Sequence, residues 1–421
     1  MRPPPGVVNA KMHSVANAKM HSRVHAPSKP VKHTAARKAP PKTKVATTSP
    51  IVEPAPAVPA TPKPAQHPLK VLSRDEILAS DAVRLARIGR HIIVGYHDFS
   101  AIKTLVEKQA ITGIFITDHN VRGRSVADIK AGIDQLQAIR ASQDLPPLII
   151  AADQEGGQVS RLSPPLKRQT SLARILLKLD SDEARRKAVE EYAEIQAQEL
   201  KRIGVTLNFG PVVDLNLVLE NRRDGETHLR LRAIASDPYL VAKVAGWYCD
   251  TLAKSGLMCT LKHFPGLGRV ARDTHVATGE ISASEGLLEL NDWVPFRRIM
   301  HKPNVATMLG HVRVGAIDKS TPASYSKQVI ADLIRSRWDY TGLLVTDDFS
   351  MGAVTNSADG IGGAAIKSLN AGADFVLVSF SERHYDTMLS ALLEADADGT
   401  LDPSALAETI TRINARRARG P

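Results

Sequence analysis

Cysteine is nearly absent from this chain: 421 residues hold two, Cys249 and Cys259. Two thiols close one disulfide at most, which excludes a fold built on a disulfide framework, and the pair is expected as packed thiols. No apolar run reaches the roughly 18 residues a membrane-spanning helix needs, so no transmembrane segment is expected. The N-terminus, MRPPPGVVNAKMHS, is basic but lacks the apolar core of roughly 7–15 residues that a secretory signal carries. As written the chain reads as cytoplasmic, or as periplasmic if its start site is misassigned.

Aromatic residues and acids are missing together from one place. Residues 1–70 contain no Phe, Trp or Tyr and a single acid, Glu53, but 12 Lys+Arg and 14 of the 26 prolines. Their net charge is 12 − 1 = +11; residues 71–421 hold the other 43 Lys+Arg and 43 Asp+Glu, a net of zero. A segment of this composition cannot bury enough apolar surface to offset chain entropy, so residues 1–70 are expected to form a disordered basic tail and linker. The basic pI therefore says nothing about nucleic-acid binding by the body, and no nucleic-acid partner is expected. The hexapeptide NAKMHS occurs twice, at 9–14 and 17–22. No acid or cysteine accompanies its histidines, so it reads as low complexity rather than as a metal site.

Beyond residue 71 short apolar runs alternate with longer amphipathic stretches. The runs lie at 91–95, 111–117, 148–152, 205–209, 258–261, 305–309, 343–346 and 375–379. They are continuously apolar, as strands buried on both faces are. Helical patterns separate them. One is capped by Ser181 and Asp182 and stopped by Gly204; another starts at Ser326 and carries Val329, Ile330, Leu333 and Ile334 on one face. Eight strand–helix alternations predict parallel βα units, in an eight-fold barrel or a doubly wound sheet. No G-x-G-x-x-G follows the first strand, which counts against a dinucleotide fold.

Ionisable residues recur just after these runs: Asp118-His119-Asn120, Asp153-Gln154-Glu155, Lys262-His263, Gly310-His311 and Asp347-Asp348. One Asp after a strand is usually a helix cap or turn residue. Five such endings predict a shared site, because in a barrel the carboxyl ends of the strands converge on one mouth.

The segments DQEGGQVSRL, KHFPGLGRVARDTH and GLLVTDDFSM resemble the barrel of glycoside hydrolase family 3, and most of all its single-domain β-N-acetylglucosaminidase branch, the NagZ type. The family's nucleophile signature is matched at every position: Leu333-Ile334-Arg335-Ser336-Arg337, four residues to Gly342, Leu343-Leu344-Val345, Thr346, Asp347. The resemblance covers roughly residues 85–417 and leaves the tail outside. It implies a single (β/α)8 TIM-type barrel over residues 71–421, with no cofactor and no metal.

The same resemblance implies the roles of particular residues. Asp347 matches the nucleophile, with Asp348 as its neighbour and rival. Asp273-Thr274-His275 matches the motif in which a His–Asp pair replaces the usual carboxylic acid. A histidine titrates near neutrality and can give and later take a proton, and an aspartate beside it fixes its tautomer. Asp153, Arg161, Arg232, Lys262 and His263 match sugar-binding positions; cations and a carboxylate suit hydroxyls, which both donate and accept. Arg232 is alternatively a solvated loop residue, Glu155 is read as support for the Gly156-Gly157 turn, and His311 either lines the mouth or packs in the core. Two positions depart from the family pattern: Leu267 stands where KHFPGHG has its second His, and Gln158 follows EGG where Arg is usual. The glycine-bearing loop 266–280 is expected to move.

The implied activity is retaining exo-β-N-acetylglucosaminidase action on terminal β-1,4-linked GlcNAc of peptidoglycan-derived fragments, by a monomer whose tail contacts anionic wall or membrane surface. Three rivals stand beside it. A phosphorylase would share the first step and pass the sugar to phosphate. A metal-dependent barrel hydrolase would use His263, His275, His311 and Asp347, though no H-x-H or H-E-x-x-H motif supports it. A non-catalytic wall-binding protein need not keep Asp347, Asp273 and His275 together.

Overall fold

The computed structural model describes residues 71–217, 225–379 and 381–418. The expected basic tail, with its duplicated hexapeptide, lies outside the described residues.

Eight parallel strands close into a barrel: β1 Ile92–Gly95, β2 Gly113–Ile116, β3 Ile149–Ala152, β4 Leu207–Asn208, β5 Met258–Phe264, β6 Val305–Leu309, β7 Leu343–Asp348 and β8 Phe375–Val378. Each pairs with its sequence neighbours, and β1 pairs with β8 to close the ring. All eight expected runs are strands. The double-sided burial read from them is present. Ile93, Phe115, Ala151, Leu207, Met308, Val345 and Phe375 fill the barrel interior, and a larger apolar layer packs between strands and helices. That layering is what a (β/α)8 barrel requires.

The helices follow their sequence signals. Helix Asp182–Ile203 is capped by Ser181, whose side chain accepts from the Ala184 amide, and ends at Gly204 with φ 90. A left-handed residue at that position is tolerated by glycine because it lacks Cβ. Residues Gln328–Arg337 bury the expected Val329, Ile330, Leu333 and Ile334, but wind as a π-helix rather than an α-helix.

Cys249 and Cys259 form a disulfide, not the expected free thiols. The bridge ties helix Pro238–Lys254 to the start of β5 across a Cα separation of 5.5 Å. Both residues are buried, so burial alone did not distinguish thiol from bridge. Among the described residues no helix is long and apolar enough to cross a membrane.

Candidate active site

A cavity of about 430 Å³ opens at the carboxyl ends of the strands. It gathers Asp153, Arg161, Arg232, Lys262, His263, His275 and Asp347, residues from across 195 positions of sequence (347 − 153 = 194 steps apart at the extremes). Asp273, the remaining predicted site residue, stands behind His275 and is buried.

Asp347 reaches the cavity because of strand alternation. Leu343 and Val345 point into the barrel, and Asp347 continues that series at the top of β7. Between Val345 and Asp348 the pairing with β8 slips, so that three steps on β7 match two on β8. Such an irregularity re-aims side chains at a barrel rim. Burial alone would raise the Asp347 carboxyl, but His263, His311 and His275, with the Asp348 amide donating to Oδ1 at 2.9 Å, hold it below its ordinary value. A carboxylate kept ionised in a walled cavity is available for attack on an electrophilic carbon.

Asp348 does different work. The amides of Ser350 and Ser379 donate to its Oδ1 at 2.8 and 3.0 Å, and the Ser379 hydroxyl donates to Oδ2. Burial pushes its carboxyl up despite these bonds. It ties the end of β7 to the end of β8.

His275 sits on the loop after β5. Its Nδ1 lies 2.8 Å from Asp273 Oδ1, and 44% of its side chain is exposed. Asp273 also accepts from the amides of Glu226 and Thr227 and from the Thr227 hydroxyl. Although burial opposes it, these donors hold its carboxyl well below the usual carboxylate range. An aspartate that stays ionised can only accept, so His275 Nδ1 carries the proton of that bond and Nε2 is the nitrogen left to exchange one.

Another part of the wall is a chain of four charges. Lys262 Nζ lies 2.6 Å from Asp153 Oδ1 and 2.6 Å from Glu155 Oε1. Arg232 grips Glu155 with two parallel bonds, Nε to Oε2 at 2.9 Å and Nη2 to Oε1 at 2.7 Å. Burial opposes the charge of Glu155, but Arg232 and Lys262 bring its carboxyl down to about 2. Burial likewise opposes charge on Lys262, and Asp153 and Glu155 raise it. Two cations and two carboxylates thus neutralise one another where water is scarce. Arg232 is therefore not a solvated loop residue, and Glu155 is more than a turn support: it is the hub of the chain. Asp153, with 23% of its side chain exposed, and the exposed Arg161 present their polar groups at the mouth.

Two predicted endings lie elsewhere. Asp118 pairs with Arg122 on its own short helix and Asn120 caps that helix, so neither belongs to the cavity. His311 is buried, with Nδ1 2.8 Å from Ser324 Oγ and Nε2 2.9 Å from the Asp348 carbonyl; burial lowers its pKa although Asp347 and Asp348 oppose that. It packs in the core against the Asp348 backbone rather than lining the cavity.

The description "Glycosyl hydrolase family 3 N terminal domain" matches residues 85–415. This chain belongs to glycosyl hydrolase family 3. It is 29% identical over 378 residues to the "Beta-hexosaminidase LpqI" of Mycobacterium tuberculosis, covering 87% of this chain and 90% of that protein. It is 32% identical to a "Beta-hexosaminidase" of Xanthomonas axonopodis pv. citri, covering 73% and 86%. Among solved structures, a family 3 glycosyl hydrolase of Mycobacterium smegmatis aligns with TM-score 0.68 at 30% identity, covering 81% of this chain and 98% of that one. A family 3 β-N-acetylglucosaminidase of Paenibacillus aligns with TM-score 0.71 at 28% identity, and this chain spans 62% of its length. The protein is a glycoside hydrolase.

The two departures from the family pattern differ in where they fall: one lines the cavity and the other does not. Leu267 is buried on the cavity wall, with its amide donating to Asp214 Oδ1 at 2.7 Å; Gln158 is exposed on a hairpin turn. Two residues that the sequence motifs did not single out support the cavity's side chains. Asp214 accepts from His263 Nδ1 at 2.7 Å and from the His263 amide at 3.1 Å, fixing that ring. Thr227 holds Asp273. The apolar run at 205–209 with an acid five residues on was a signal for Asp214. Nothing in the pattern around Thr227 distinguished it.

Proposed function

We propose that this family 3 hydrolase is a retaining exo-β-N-acetylglucosaminidase acting on terminal β-1,4-linked GlcNAc of peptidoglycan-derived fragments. Asp347 is the nucleophile, His275 the acid and base, and Asp273 the group that orients it. Asp153, Arg161, Arg232, Lys262 and His263 form the sugar-binding wall. The observation that carries this reading is the pairing of a half-buried Asp347, held ionised, with an exposed imidazole whose free nitrogen is Nε2, both on one cavity.

In the first step an Asp347 oxygen bonds to the anomeric carbon as the glycosidic C–O bond breaks, and His275 Nε2–H passes its proton to the departing oxygen. In the second, His275 takes a proton from water as that water displaces Asp347 from the sugar. Two inversions retain the β configuration. The hexosamine preference follows the relatives' names, and the wall-fragment substrate follows the resemblance of the site motifs to the single-domain branch.

Trapping with a fluorinated GlcNAc analogue, followed by peptide mapping, tests sugar, mechanism and nucleophile together; label on any residue other than Asp347 overturns the assignment. Asp347→Ala should lower turnover of an aryl β-GlcNAc substrate by at least a thousandfold, and activity within tenfold of wild type sinks the reading. Running the assay with and without inorganic phosphate tests the rival acceptor, since GlcNAc-1-phosphate as the main product would replace hydrolysis with phosphorolysis.

A further inference from the structure

The Asp273 carboxylate receives five hydrogen bonds, and three of them come from one distant turn. Oδ2 accepts from the amides of Glu226 and Thr227 at 2.7 and 3.0 Å. Oδ1 accepts from the Thr227 hydroxyl at 2.8 Å, from the His275 amide at 3.0 Å and from His275 Nδ1 at 2.8 Å. The Thr227 oxygen also lies 3.3 Å from His275 Nδ1. The imidazole N–H therefore faces two oxygens, the Asp273 carboxylate and the threonine hydroxyl. A ring held at both is restricted in rotation about its own bond to the loop in a way that one acceptor cannot achieve.

The turn is itself anchored. Arg232 Nη1 donates to the Thr227 carbonyl at 2.9 Å while its other nitrogens grip Glu155. From Glu155 the chain continues through Lys262 to Asp153 on the cavity wall. Every link is a short, charge-assisted or backbone hydrogen bond, and Lys262, Glu155 and Arg232 are nearly closed to solvent. The sugar-binding wall and the proton-transfer group are thus parts of one network, although His275 rides on a loop.

We propose that Thr227 is a positioning residue for the His275–Asp273 pair, and that it joins the pair to the buried charged chain lining the sugar side of the cavity. Its hydroxyl makes the third contact on Asp273 Oδ1 and the second on the imidazole. Removing it frees the ring to turn, so the leaving oxygen is less often within reach of Nε2–H. This rests on the acid–base role given to His275 above.

The test is a set of side-chain exchanges read by leaving-group dependence. Thr227→Val keeps the branched shape and deletes the hydroxyl; Thr227→Ser keeps the hydroxyl. With Thr227→Val, kcat/KM on a poorly activated β-GlcNAc substrate should fall about tenfold or more, the scale of one hydrogen bond to a charged group. An aryl substrate whose leaving group needs no proton should lose threefold at most, and inhibition by free GlcNAc should change within about twofold. Thr227→Ser should restore the poor substrate to within about threefold of wild type. Partial unfolding would lower both substrates equally, so the ratio between them is read independently of the amount of folded enzyme. Equal losses on both substrates, or no loss on either, overturn the proposal, as does a Ser variant as impaired as the Val variant. His275→Ala measured alongside separates this from the underlying reading. If His275→Ala itself shows no leaving-group selectivity, the acid role fails; if it does and Thr227→Val does not, only the positioning role fails.

Discussion

Glu155 shows how one side chain governs a wall of the site. Its carboxylate is shared by Arg232 and Lys262 and nearly closed to solvent. Its pKa falls from an ordinary 4.5 to about 2 because those cations outweigh burial. A carboxyl depressed by folding contributes stability that is fully present above its unfolded value and is lost as pH falls through its folded value. For Glu155 that window runs from about 4.5 down to about 2. Glu155→Gln should cost about 3–5 kcal/mol at pH 7, since it leaves the buried Arg232 without its carboxylate partner and Lys262 with Asp153 alone, and should flatten the loss of stability across that window. Denaturant unfolding at pH 7 and at intervals down to pH 3 checks both. A variant as stable as wild type at pH 7 would mean that water reaches Arg232 and Lys262. Asp153, Arg161, Lys262, His263 and His275 were legible as neighbours at one mouth because each follows a strand or carries a family motif. The weight of Glu155 was not, nor were Asp214 and Thr227. A residue's worth there depends on which side chain meets it, and Thr227 meets a partner 46 positions away.

At the scale of elements, the loop carrying His275 is held by contacts to two neighbouring segments. The Gly352 amide donates to the His275 carbonyl at 2.8 Å, and the Thr278 hydroxyl donates to the Ala353 carbonyl at 3.0 Å. Gly279–Ile281 pairs in parallel with Val312–Val314, which fixes the far end. The short helix Gly352–Thr355 therefore serves as the loop's seat, close behind β7. A Cβ on Gly352 would lie 2.5 Å from the Val276 carbonyl oxygen and 2.9 Å from that of His275, closer than side-chain atoms are found. Gly352→Ala should push the loop outward and lower kcat/KM on poor leaving groups about tenfold or more, while the melting temperature stays within about 4 °C because the contact is at the surface of the barrel. Unchanged kinetics on poor and activated substrates alike would show that the loop tolerates the displacement. The eight strands were legible because burial on both faces imposes unbroken apolar runs, and helix Asp182–Ile203 because Ser181 and Gly204 mark its ends. The π-helical winding of Gln328–Arg337 was not, since apolar spacing reports which face is buried and not whether the backbone bonds close at four residues or five. Loop seating was illegible for a similar reason: Gly352 reads as one more glycine until a carbonyl is seen against it.

For the molecule as a whole, charge and redox chemistry bear on the same question of where the enzyme works. The Cys249–Cys259 bridge is of the kind that persists in an oxidising compartment. All of the +11 lies in residues 1–70 (12 − 1), and the remainder is balanced at 43 − 43 = 0. A neutral barrel gains nothing electrostatically from an anionic polymer, while a basic Pro-rich leader is attracted to one through about one Debye length, roughly 10 Å at 0.1 M salt. We therefore expect residues 1–70 to act as a tether rather than as part of the catalytic body. A chain lacking residues 1–70 should keep kcat/KM on aryl β-GlcNAc within about twofold, since the residues lining the cavity all lie beyond position 152 except Phe115. The same truncation should abolish co-sedimentation with insoluble anionic wall polymer at low salt, and full-length protein should be released from that polymer as salt rises. Loss of small-substrate turnover on truncation would make residues 1–70 part of the fold. Retained sedimentation would move the binding surface onto the barrel, where the exposed Arg161 at the mouth is the first cation to replace.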